Sequence, residues 1–119
     1  HVIAKRYDRL LADLPVTLPW QHENSYSGLH LYVIRLKLKK IDITHRQVFE
    51  EMRAAGIIVN LHYIPVYTQP YYQALGFKAG YCPEAEQYYA EAISLPMYPG
   101  LTEAQQDKVI AVLRQAITK

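Results

Sequence analysis

The stretch Gly56-Ile57-Ile58-Val59-Asn60-Leu61-His62-Tyr63-Ile64-Pro65-Val66-Tyr67-Thr68-Gln69-Pro70-Tyr71-Tyr72 decides how this chain is read. An apolar run opened by a glycine and stopped by a proline predicts a strand over 57–64. Side chains alternate across a strand, so Ile57, Val59, Leu61 and Tyr63 share one face. Ile58, Asn60, His62 and Ile64 share the other, which puts two polar groups on one side of an otherwise apolar strand. A histidine there, just before Pro65 and a cluster of tyrosines, either lines a pocket or is a hydrogen-bonded edge residue. The strand alone leaves both open.

Immediately upstream, Thr44 with Gln47 three residues on has the form of a capping box, so a helix starts there. Val48, Phe49 and Met52 are its apolar stripe, and Gly56 is its stop. Further back, Leu29 to Lys37 predicts a second strand, with Leu29, Leu31 and Val33 on one face and His30, Tyr32 and Ile34 on the other. Leu36 and Leu38 break that phase, which predicts a bulge or the end of pairing near Ile34-Arg35. Residues 21–28 are a polar loop, and Val16 to Leu18 a short edge strand. Ile3, Tyr7, Leu10, Leu11 and Leu14 recur at helical spacing from almost the first residue, and that helix stops near Asp13 because Pro15 disfavours helical geometry before it. A helix already under way at His1 reads as a segment of a longer polypeptide.

Downstream, Pro70 to Leu75 predicts a short helix ended by Gly76. Pro83 suits the first position of another, with Ala85, Tyr88 or Tyr89, and Ala92 on its buried side. Ser94 to Met97 is extended. Thr102 with Gln105 repeats the capping-box pattern and opens a last helix whose buried stripe is Val109, Ile110, Leu113 and Ile117. The order predicts an α/β fold: a small sheet with helices packed on one face, in one domain over residues 1–119. The face with Val33, Val59 and Leu61 is expected beneath the helices, and the face with His30, Tyr32, Asn60 and His62 outward.

Composition narrows the function. Half of the 119 residues are apolar and the formal net charge is only +2, which fits a folded domain and not a strongly nucleic-acid-binding one. No apolar stretch approaches the roughly 20 residues of a membrane span. Cys82 is the only cysteine, so no internal disulfide framework exists and a reducing cytoplasm fits. Eleven tyrosines stand against two phenylalanines and one tryptophan, a bias suited to interfaces and pocket walls. His1, His22, His30, His45 and His62 show no paired metal-ligand spacing, so no metal site is expected. Ser27, Ser94 and Cys82 lack a glycine-flanked nucleophile elbow. Gly76 to Gly80 is too short for a phosphate cradle, and the lysines at 37, 39 and 40 mark a solvated turn. The tyrosines could stack on bases, but no basic cluster accompanies them, so no nucleic acid is expected.

Five short motifs then occur in order: Ser27-Gly28-Leu29-His30-Leu31-Tyr32; Gly56-Ile57 leading to Leu61-His62-Tyr63-Ile64-Pro65-Val66; Gln69-Pro70-Tyr71-Tyr72; Pro83-Glu84-Ala85-Glu86; and Ser94-Leu95-Pro96-Met97-Tyr98-Pro99-Gly100-Leu101-Thr102. Together they resemble the C-terminal part of the DegT/DnrJ/EryC1/StrS family of sugar-nucleotide aminotransferases. Within it, the likeness is to enzymes that aminate a UDP-linked 4-keto-6-deoxy-hexosamine in pseudaminic acid or spore-coat-type polysaccharide synthesis. It covers essentially the whole chain.

The resemblance implies the small C-terminal domain of a fold-type I pyridoxal-phosphate aminotransferase, with residues 1–14 as the end of an interdomain helix. It implies pyridoxal 5'-phosphate as cofactor, bound mainly by an N-terminal domain outside this sequence. Lys5, Lys37, Lys39, Lys40, Lys78, Lys108 and Lys119 do not lie in the family's Schiff-base motif, so no catalytic residue is expected here and the chain alone should be inactive. A nucleotide-sugar substrate, glutamate as amino donor, a homodimer and a cytoplasmic location follow from the same likeness. Matched to the family's His-Tyr motif, His62 and Tyr63 are expected near the cofactor or sugar nucleotide. Ser27 and His30 fall in its Ser-x-x-His-Leu-Tyr stretch, and Asn60 joins by sharing the His62 face. Tyr67 departs from the pattern, standing where close relatives often carry histidine. The competing reading is a stand-alone, tyrosine-rich α/β binding module.

Overall fold

The computed structural model describes residues 1–118; Lys119, one of the lysines considered above, lies outside the described residues. In chain order the elements are α1 (Val2–Leu10), β1 (Val16–Thr17), β2 (Tyr32–Leu36), α2 (His45–Ala54), α3 (Pro70–Ala74), α4 (Pro83–Glu91), β3 (Ala92–Leu95) and α5 (Glu103–Ile117). Single 3-10 turns lie at Leu38–Lys40 and Val66–Thr68.

Local signals account for most boundaries. The Thr44 side chain accepts from the Gln47 N–H at 3.2 Å, and the Gln47 side chain accepts from the Thr44 N–H at 2.9 Å. Thr102 and Gln105 repeat both bonds at the start of α5. Each box satisfies two backbone donors that a helix start leaves free. Gly56 follows α2 with φ +79°, and Gly76 follows α3 with φ +97°, a backbone conformation that costs glycine least.

The three strands form one antiparallel sheet in the order β1-β2-β3. Tyr32 pairs with Leu95 and Ile34 with Ile93, so these four share a face, and Leu36 opposite Val16 continues it. That face is buried with α1, α2 and α5 in a single apolar core that includes Tyr7, Leu11, Val48, Met52, Val59, Val109 and Leu113. Side chains tie α5 across α1. Gln106 donates to the Ile3 carbonyl at 3.0 Å, Arg6 pairs with Asp107 at 2.8 Å, and Arg114 grips both carboxylate oxygens of Asp13. The Arg114 hydrogen bond holds the Asp13 carboxyl below the usual carboxylate range.

The α/β class, the small sheet and most helix boundaries agree with expectation; four details do not. The face of β2 is inverted: Tyr32 and Ile34 are buried, whereas Val33 looks away from the core and Leu31 is exposed. Pairing starts only at Tyr32, after Leu29 at φ +45°, so the parity of Leu29 and Leu31 carries no weight. The apolar set that matters is 32, 34 and 36, and it runs through Arg35 with no bulge. Second, residues 57–64 make no ladder strand. Only Asn60 bridges Ser94, with N–H···O bonds of 2.8 and 3.2 Å. Its neighbours spend their backbone groups elsewhere: the Ile57 N–H bonds the Met52 carbonyl, closing the end of α2, and Arg53 donates to the Val59 carbonyl at 3.2 Å. Third, α4 buries none of its residues; Ala85 is exposed, and Ala92 belongs to β3, which starts where α4 ends and so precedes the extended piece expected at 94–97. Fourth, the helices are not all on one face. Arg35, opposite Ala92 on the outer face, pairs with Glu91 of α4 at 2.8 Å and lies under Tyr88 at 5.7 Å.

Two core tyrosines place a titration on the fold. The Tyr7 hydroxyl donates to the Pro96 carbonyl at 2.8 Å, and the Tyr32 hydroxyl donates to Asp8 at 2.6 Å; the rings lie 5.0 Å apart. Burial pushes both phenols well above the usual tyrosine value, with the bond to Asp8 adding to Tyr32. A folded-state value above the unfolded one means the native state keeps protons that the unfolded chain releases. This contribution is intact below the ordinary tyrosine value of 10.0 and is lost as pH rises above it. Urea midpoints are expected to fall progressively above pH 10, with a shallower fall in Tyr32→Phe. A flat profile in the wild type would contradict the burial of these rings.

Candidate functional site

The outer face of the sheet carries the polar groups. Register puts Val33, Arg35, Ala92 and Ser94 on it, and the bridge puts Asn60 beside Ser94. His62 folds back onto the same place. Its Nδ1 lies 2.7 Å from Ser94 Oγ, and its ring is half-buried. Ser94 is only 4 % exposed, and its backbone N–H and carbonyl are both taken by Asn60. Two backbone bonds and one side-chain bond therefore fix Asn60, His62 and Ser94 as a unit at the sheet edge. Toward the other edge, over β1 and β2, the same face carries an open groove of ≈ 360 Å³ lined by Leu31, Val33, Arg35, Tyr88 and the exposed Trp20, and none of the three residues lines it.

Of the five expected site residues, the structure brings Asn60 and His62 together. Tyr63 follows His62 in the chain and is 61 % exposed. Ser27 lies elsewhere: its Oγ accepts from the Leu29 N–H at 3.1 Å and it lines a cleft of ≈ 190 Å³ with α1, Tyr26 and Tyr32. His30 is exposed. No hydrogen bond among the described residues joins Ser27 or His30 to His62. Residue reading missed Ser94 as the partner of His62; the available signal was one serine inside the apolar run Ala92-Ile93-Ser94-Leu95.

The tyrosine-rich segment after Pro65 is an excursion from the sheet. Its rings form a chain of edge-to-face contacts: Tyr71 to Tyr72 at 5.2 Å, Tyr72 to Phe77 at 6.1 Å, Phe77 to Tyr81 at 5.0 Å and Tyr81 to Tyr67 at 5.4 Å. Such pairs exceed simple area burial by about 0.5–1.5 kcal/mol each. Tyr67 closes the excursion. Its hydroxyl donates to Glu86 and accepts from the Cys82 N–H at 3.2 Å. The Tyr67 bond and the Gly80 N–H draw the Glu86 carboxyl below its usual range. Tyr67 thus braces the start of α4. Val66, Tyr71, Leu75 and Tyr81 are left exposed.

Comparison with known proteins gives this arrangement a context. The sequence model of the DegT/DnrJ/EryC1/StrS aminotransferase family matches residues 1–114. This chain belongs to that family. Among its DegT/DnrJ/EryC1/StrS-type relatives, the spore coat polysaccharide biosynthesis protein SpsC of Bacillus subtilis is 32% identical over 118 residues, 97% of this chain and 30% of SpsC. Spr1654 of Streptococcus pneumoniae in its PMP form superimposes with a TM-score of 0.87 at 26% identity, over 97% of this chain and 29% of that one. PseC of Helicobacter pylori, an aminotransferase of pseudaminic acid biosynthesis, does so with a TM-score of 0.86 at 27% identity, over 98% and 31%. The chain therefore spans about 30% of the length of these family members.

Within the described residues of this family member, no group of three or more His, Cys, Asp or Glu could hold a metal ion. No helix among them is long and apolar enough to cross a membrane.

Proposed function

We propose that this chain is the small C-terminal domain of a pyridoxal-phosphate-dependent aminotransferase that aminates a nucleotide-linked keto-deoxysugar for surface polysaccharide, with residues 1–14 as the end of an interdomain helix. In this reading glutamate is the amino donor, the enzyme is a cytoplasmic homodimer, and the domain is inactive alone. Support comes from family membership, from the surface-sugar context of SpsC and PseC, and from a span of about 30% of each. The single observation that carries the domain's own role is the half-buried imidazole of His62, held by Ser94 on the outer face of the sheet.

The residues present do not by themselves fit the cofactor. A Schiff-base lysine works from a desolvated or charge-tuned site. Every lysine among the described residues is exposed: Lys5, Lys37, Lys39, Lys40, Lys78 and Lys108. What this chain offers is a wall. Asn60 and His62 supply hydrogen-bonding groups at the β3 edge of the outer face, and the apolar-aromatic groove over β1 and β2, where Arg35 is paired with Glu91, continues that face. Such a wall orients a bound sugar nucleotide against chemistry done by another part of the protein. Tyr63 has a supporting role beside His62 in this proposal, and Ser27 and His30 have theirs away from the wall, Ser27 in the cleft against α1. The exposed Val66, Tyr71, Leu75 and Tyr81 suit contact with the remainder of the enzyme or its second subunit.

The test has two arms. The 119-residue chain mixed with pyridoxal phosphate is expected to give no aldimine absorption band and no transamination. The polypeptide encoded by the complete reading frame is expected to give both, with a nucleotide-linked keto sugar and glutamate. An active isolated chain would overturn the first half. A reading frame without a lysine-bearing upstream domain would overturn the second and favour the stand-alone binding module.

A further inference from the structure

We propose that Ser94 is a positioning residue that sets the tautomer of His62: its buried hydroxyl donates to Nδ1, so the ring carries its proton on Nε2 and presents an N–H donor to an acceptor oxygen of the ligand. The ligand half of this inference rests on the aminotransferase reading; the tautomer half does not.

The position of one proton decides the tautomer. Ser94 is 4 % exposed, too little for its hydroxyl to be satisfied by bulk water. Buried hydroxyl protons find acceptors. Among the described residues the only side-chain or backbone partner of Ser94 Oγ is His62 Nδ1, at 2.7 Å. If Nδ1 carried the proton it would donate to Oγ, and the serine proton would be left buried without an acceptor, at a cost of about 1–3 kcal/mol. The opposite arrangement satisfies both groups with the same atoms. A neutral imidazole protonated on one nitrogen accepts on the other, so the partner of Nδ1 decides what Nε2 can do. His62 Nε2 has no protein partner among the described residues. The ring therefore meets a ligand as a donor.

The backbone makes the arrangement rigid. The Asn60–Ser94 bridge holds the two segments in register, so the serine hydroxyl and the imidazole are not free to drift apart. The chemistry recognised by the ring is an electronegative oxygen, such as those of a sugar hydroxyl or a phosphate; a ligand group that only donates finds no acceptor at Nε2.

The decisive experiment is nitrogen NMR of ¹⁵N-imidazole-labelled protein in the 119-residue chain at a pH where His62 is neutral. The expected spectrum places the proton of His62 on Nε2. Ser94→Ala is expected to release the preference, giving a mixed-tautomer spectrum, while Ser94→Thr, which keeps the hydroxyl, retains it. A wild-type ring protonated on Nδ1, or a Ser94→Ala spectrum identical to wild type, overturns the proposal. Serine to alanine removes one oxygen from a strand, and circular dichroism of the variant separates a tautomer change from unfolding. In the complete polypeptide, Ser94→Ala is expected to lower kcat/KM about tenfold, the loss of one oriented hydrogen bond, with Ser94→Thr restoring most of it. Unchanged kinetics in Ser94→Ala would refute the ligand half. A complete polypeptide with no transaminase activity at all sinks the functional reading and the ligand half with it, and leaves the tautomer result to stand or fall on its own spectrum.

Discussion

Tyr7→Ala is expected to lower stability by about 3–5 kcal/mol, as for other buried aromatic rings truncated in a core. A typical domain of this size has only about 5–15 kcal/mol in total, so the variant should be marginal or unfolded at ambient temperature. Three independent losses add at this position. The ring is fully buried and lies 5.0 Å from that of Tyr32. It joins α1 to the core, which no other large, fully buried side chain of α1 does. Its hydroxyl satisfies the Pro96 carbonyl just beyond β3. Tyr7→Phe isolates the last of these and should cost about 1–3 kcal/mol, the penalty of an orphaned partner. Urea denaturation of both variants checks the pair. A Tyr7→Ala loss no larger than that of Tyr7→Phe would mean that the ring does not sit where the fold places it.

The second large effect concerns turnover. In the complete polypeptide, His62→Ala is expected to reduce kcat/KM about a hundredfold, the scale on which misplacing a bound reactant slows an enzyme. The same change should cost about 1–3 kcal/mol of stability, because it leaves the buried Ser94 hydroxyl without its acceptor. The two readouts together discriminate. A merely structural histidine would shift the denaturation midpoint and leave kcat/KM alone; one that also faces the ligand lowers kcat/KM in protein that is still folded. His62→Gln, whose amide nitrogen can approximate the Nε2 donor, should recover part of the activity without restoring the bond to Ser94. Wild-type kinetics in His62→Ala would reduce this residue to a piece of the sheet edge.

Much of the fold could be read from short-range chemistry. Thr44 with Gln47 and Thr102 with Gln105 start α2 and α5 through contacts three residues apart, and both boxes form. Gly56, Gly76, Pro70 and Pro83 mark the ends and beginnings of helices as their backbone preferences require. Val109, Ile110, Leu113 and Ile117 are buried together because one helix face presents them to whatever lies beneath. The interest of His62 and Asn60 was also legible, as two polar residues interrupting an apolar run.

The remainder depended on partners distant in the chain. Whether Tyr32 or Val33 faces inward is settled by where pairing begins and by Tyr7 and Asp8, which receive the Tyr32 ring and hydroxyl. Apolar alternation could not choose, since both faces of that segment carry large apolar residues. Residues 57–64 have a strand's composition, yet a strand needs a continuous neighbour, and only Asn60 finds one in Ser94. The tyrosines after Pro65 looked like a docking surface in sequence; Tyr67 instead braces their own excursion against Glu86 and Cys82, with its ring packed on Tyr81.

The amino-acid order by itself determined the helices, their caps and the family resemblance, because those signals act over a turn or two of chain. Only the tertiary structure decided which side of β2 is buried and that a serine thirty-two residues away in sequence holds the His62 ring. The reason is physical: a backbone preference is a property of neighbours along the chain, whereas a face, a register or a tautomer is a property of whichever group folding brings opposite.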